Sequence, residues 1–90
     1  QELYTKLTTE SKTLQDALLA SALIEEHDIV DLQKAMDETE NEHIQRVFSN
    51  LKRASGFHLQ AFVKNLRARG VDYNPQLLSQ EEFDTIIGKF

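Results

Sequence analysis

Ninety residues, 40% of them apolar, make a single domain, residues 1–90, near the small end of what buries a core unaided. The absence of cysteine excludes disulfides, thiolate metal sites and thiol redox motifs, and no apolar run approaches membrane-spanning length. A net charge of −5 opposes polyanion binding, so neither nucleic acid nor membrane is the expected partner.

The chain opens at Gln1 without an initiator Met and without a signal-peptide pattern, so it reads as a processed product or a piece of a longer protein. Residues 2–7 suit a short helical turn. Thr8–Ser11 is a polar break, and Ser11 or Thr13 suits an N-cap. Apolar residues then recur at steps of three and four: Leu14, Leu18, Ala22, Ile29, Leu32 and Met36. This predicts a first long helix over about 12–37, roughly 37 Å in length. A second row, Leu19, Leu23 and Val30, widens the stripe and predicts packing against more than one neighbour.

Thr39-Glu40-Asn41-Glu42 has the pattern of a capping box and predicts a second long helix over about 40–69. Its stripe is Ile44, Val47, Phe48, Leu51, Ala54, Leu59, Phe62 and Leu66, and Gly70 follows as its stop. The short link makes the two helices antiparallel. Residues 43–70 hold six bases and no acid, whereas residues 1–42 hold eleven acids. The basic helix is expected to offset its acidic neighbour. After a loop containing Pro75, Ser79-Gln80-Glu81-Glu82 predicts a second capping box and a short helix over about 79–87 that covers one end of the hairpin. The fold class is therefore all-α, an antiparallel helical hairpin with short flanking helices. Two helices cannot bury stripes this wide on each other, so a homo-oligomer or a missing helical half is expected to close the core.

Two polar residues interrupt the apolar stripes. Glu25 lies between Ala22 and Ile29, and His58 lies between Leu51 and Phe62. A buried carboxylate needs a partner, a proton or a metal. Carboxylate and imidazole facing each other between helices are ligands of the type that iron, manganese or zinc takes. The competing reading is a Glu–His hydrogen bond with no metal. Counted from the link, the two residues lie about a turn and a half out of register. Glu26 is the alternate ligand should the register differ, and Asp28, one turn from Glu25, is a further candidate in support of His58 or Arg53. His27 and His43 are expected at the surface, and Tyr4 and Tyr73 in packing. No nucleophile-and-base arrangement is present, so no catalytic residue is assigned.

Three runs carry a family resemblance: residues 22–32 (Ala-Leu-Ile-Glu-Glu-His-Asp-Ile-Val-Asp-Leu), residues 53–62 (Arg-Ala-Ser-Gly-Phe-His-Leu-Gln-Ala-Phe) and residues 73–83 (Tyr-Asn-Pro-Gln-Leu-Leu-Ser-Gln-Glu-Glu-Phe). In order and spacing they resemble the C-terminal half of an uncharacterised ferritin-like family, domain of unknown function 2202. The resemblance implies a four-helix bundle of which this chain is the third and fourth helices. Glu25 would match the single glutamate of a half-site, and His58 the histidine of a Glu-x-x-His pair. Ser55 stands where that pair has its glutamate, so a bridging carboxylate is missing and the implied site is asymmetric or mononuclear. The function this implies is a ferritin-like bundle protein binding iron or another divalent metal between helices. The alternative is a non-catalytic helical oligomerisation or interaction module with a vestigial site.

Overall fold

The computed structural model describes residues 14–88. Among these residues there are three helices and no strand: α1, Leu14–Asp37; α2, Glu42–Ala68; and α3, Gln80–Ile87. The expected turn over 2–7, the expected caps at Ser11 and Thr13, and Tyr4 lie outside the described residues. α1 and α2 run antiparallel and pack along each other, as the pairs Gln33 with Lys52 and Glu25 with His58 show.

The link between them is built differently from the expected capping box. Asn41, not Thr39, caps α2: its side-chain oxygen accepts from the Ile44 amide at 3.0 Å. Thr39 instead accepts from the Asn41 amide at 3.2 Å. The physical reason is reach. An N-cap side chain satisfies the amide two or three residues on, and Asn41 stands three residues before Ile44 in extended backbone. Gln45 then donates to the carbonyls of Thr39 and Met36, at 2.8 and 3.4 Å, so the first turn of α2 lies along the link.

Gly70 ends α2 with φ at +80°, a conformation that costs glycine nothing. The Gly70 amide donates to Arg67 O and the Val71 amide to Leu66 O, both at 2.9 Å, which completes a Schellman turn. Val71 packs against the core beside it, the apolar contact that accompanies this motif. The turn sends residues 71–79 back across the hairpin. Ser79 starts α3 with both bonds of a capping box, as its sequence predicts.

The core lies between one face of the hairpin and the returning segment. It comprises Ala22, Ile29, Leu59, Val63, Leu66, Tyr73, Leu78, Phe83 and Ile87. Tyr73 and Phe83 meet with ring centroids 5.9 Å apart. Val63, absent from the expected stripe, is fully buried, because α3 covers a flank of α2 that the hairpin alone would leave wet. Coverage is uneven. Ile44, Val47 and Leu51, all within the expected stripe, are exposed, with Leu51 at 49%. The molecule measures 17 Å in its thinnest direction, about one and a half times a helix diameter of roughly 10–12 Å.

Candidate functional site

The two stripe-interrupting residues meet. His58 Nδ1 lies 3.4 Å from Glu25 Oε2. The expected offset of a turn and a half is absorbed at the link, where α2 spends its first turn alongside residues 36–39. The pair lies on the hairpin face away from α3. Glu25 is largely shielded at 15% exposure, while His58 is 61% exposed. Beside them is an open depression of about 380 Å³ lined by Asp28, Leu32, Leu51, Ala54, Ser55 and His58.

The electrostatics of Glu25 are opposed. Burial pushes its carboxyl above the ordinary value, and Asp28 adds to that push, whereas His58 and the Ser55 hydroxyl favour the ionised form; burial prevails. Its second oxygen, Oε1, is buried and has no hydrogen-bond partner among the described residues. A buried unsatisfied carboxylate oxygen is costly. Asp28, the further candidate, is exposed and acts on Glu25 through its charge.

Glu26, the alternate candidate, is engaged elsewhere. It is fully buried, and its carboxylate accepts from the Tyr73 phenol and from the amides of Gln76, Leu77 and Leu78. The amide bonds are 2.9–3.1 Å. Burial raises its pKa, but the Leu78 amide, the Tyr73 phenol and the two remaining amides outweigh it and hold the carboxyl below the ordinary value. Tyr73 shifts upward in turn, through burial and then through its bond to the Glu26 charge. Sequence reasoning placed Tyr73 in packing and missed this bond, since neither residue's spacing shows it. The Glu25-Glu26 doublet was the only trace of it.

His27 lies at the surface, 3.3 Å from Asp31, and His43 is exposed. Lys52 of the basic helix α2 donates to Gln33 of α1 at 2.5 Å. Among the described residues no three His, Cys, Asp or Glu side chains converge on one point, so no third such side chain joins Glu25 and His58 there. No described helix is long and apolar enough to cross a membrane.

Comparison with known proteins bears on this arrangement. The chain is 44% identical over 88 residues to an uncharacterised protein, MJ0754, of Methanocaldococcus jannaschii, a match covering 97% of this chain and 48% of the relative. The crystal structure of hypothetical protein MJ0754 from Methanococcus jannaschii superposes with a TM-score of 0.91 at 43% identity, covering 99% of this chain and 51% of that one. The chain thus spans about half the length of the relative it matches. The model of the uncharacterised protein domain DUF2202 matches residues 1–89, and the chain belongs to that family.

Proposed function

We propose that this chain is one half of a ferritin-like four-helix bundle, and that the face carrying Glu25 and His58 holds a divalent transition metal once a second helical hairpin covers it. The observation that carries the reading is Glu25: a shielded carboxylate beside an imidazole, with its second oxygen buried and without a hydrogen-bond partner among the described residues. The donor set suits iron, manganese or zinc. Two ligands about 2.1 Å from a tetrahedral ion stand about 3.4 Å apart, the spacing of this pair. The exposed Val47 and Leu51 on the same helix supply the apolar rim that a covering hairpin would bury. The relative of twice the length supports a second half as the cover.

Ser55 precedes His58 by three residues, so this half offers one carboxylate and one imidazole, and the remaining ligands must come from the covering helices. Bound iron would supply electron exchange with dioxygen or peroxide. The residues of this chain hold and orient the ion, and the apolar rim excludes water.

The test is metal content of the full-length protein after anaerobic loading with Fe(II), compared with Glu25→Gln and His58→Ala. Stoichiometric metal in the parent and at least about a tenfold loss of affinity in each variant is expected. Metal unchanged in His58→Ala would sink the reading. The missing carboxylate at Ser55 favours a second reading, a helical assembly module in which the pair only fixes register. A Glu25→Gln/His58→Leu variant that is more stable and retains metal would favour it.

A further inference from the structure

Glu25 and Glu26 are identical side chains on consecutive residues, and side chains one residue apart on a helix diverge by about 100°. Which of them reaches the uncovered face depends on how α1 is rotated about its own axis. Apolar burial decides this only in part. Leu18 and Leu19 are both partly buried against the core, whereas Leu23 and Val30 are exposed, so α1 carries apolar residues around much of its circumference. Buried Ile29 and Ala22 favour the observed face, but hydrophobic contact is non-directional and Ala22 gives little purchase against rotation.

The directional contact is the one at Glu26. A carboxylate offers about four acceptor sites, and the four donors on Glu26 use that capacity. All four come from Tyr73–Leu78, and three are consecutive backbone amides. Those amides are held by their own chain, with Pro75 on one side and the Ser79 capping box on the other. The loop therefore presents a stiff set of donors that takes one carboxylate at one place.

We propose that Glu26 is a positioning residue: by locking α1 to the 73–78 loop it sets the rotation that presents Glu25, and not Glu26, beside His58. The use of that orientation for metal rests on the preceding reading; the orientation itself does not. A one-residue slip would bring Glu26 towards His58 and leave the donors of Gln76, Leu77 and Leu78 without their acceptor, a penalty of three buried or part-buried amides.

The experiment is NMR on the full-length protein and on Glu26→Gln and Tyr73→Phe. Two signals are read: the contact between Glu25 side-chain protons and the His58 ring, and hydrogen exchange of the Gln76, Leu77 and Leu78 amides. In Glu26→Gln the amides should exchange at least about tenfold faster, and the Glu25–His58 contact should weaken markedly although both residues are unchanged. Metal affinity, measured in parallel, should fall by about tenfold or more. Faster amide exchange with an undiminished Glu25–His58 contact would overturn the proposal, because the clasp would then only tether the loop. Unchanged amide exchange would overturn it as well. If Glu26→Gln does not fold, Tyr73→Phe removes one donor of the four and should show both changes in smaller measure; parental values for both would overturn the proposal. The contact signal needs no metal. A parent that binds no metal therefore removes the functional reading while leaving this test intact.

Discussion

Glu25 and Glu26 differ in what surrounds them, and the difference has a sign. The pKa of Glu26 is held below the ordinary glutamate value of about 4.3. Its contribution to stability is therefore complete above that value and is lost as pH falls through the folded-state value. Glu25 shifts the other way, so its ionised form is a cost to the fold that grows as pH rises from the ordinary value through the folded one. Glu26→Gln should lower stability at pH 7 by about 2–4 kcal/mol and flatten the acid limb of the stability curve. Glu25→Gln should lower it not at all. Denaturant melts at pH 7 and pH 3 check both, and equal losses in the two variants would contradict this account. Tyr73 contributes at the alkaline end. Its upward shift means a contribution that is present below about pH 10 and lost above it.

At the scale of elements, α3 is a short helix held by its cap and by the groove it fills. Ser79→Ala should cost about 1 kcal/mol by removing the capping box. Gly56 lies in the interior of α2, where a Cβ would meet Ile86 Cγ2 at 3.6 Å, an ordinary contact. Gly56→Ala should therefore stabilise the protein by roughly 0.5–1 kcal/mol, read as a raised melting temperature; a loss would mean that α2 and α3 approach more closely than the contact distance indicates. The helices themselves could be read from the sequence because period, caps and stops agree. Ser79 with Glu82 and Gly70 after a basic turn are local signals, and each does locally what it predicts. The candidate site could be read only in part. The meeting of Glu25 with His58 followed from two interruptions in two stripes. The role of Glu26 did not, because its partners lie 47–52 residues away in a loop, and three of them are backbone amides that any sequence would provide. The cap at Asn41 was missed because Thr39 and Asn41 are both good caps and only the path of the link chooses between them.

For the whole molecule, the uncovered face sets the expectations. Leu51 stands beside the Glu25–His58 pair and is half exposed. If a second hairpin covers that face, Leu51→Arg places a charge in an apolar contact and should destabilise the full-length protein by at least about 2 kcal/mol. An unchanged melting temperature would mean that the face stays in water.

The returning segment also limits what can be built from this hairpin. A slab that offers apolar contact on both sides can stack without end, and such open-ended contact is how filaments and aggregates grow. Residues 71–87 bury Tyr73, Leu78, Phe83 and Ile87 in the core and withdraw much of one side from such contact, while Leu77 and Phe57 stay exposed. On the proposed reading the opposite side, with Val47 and Leu51 exposed, is the one that a second hairpin takes, and the two would then form a closed pair of layers. The Schellman turn at Gly70, by folding the chain back over its own hairpin, takes apolar surface of that hairpin out of intermolecular reach.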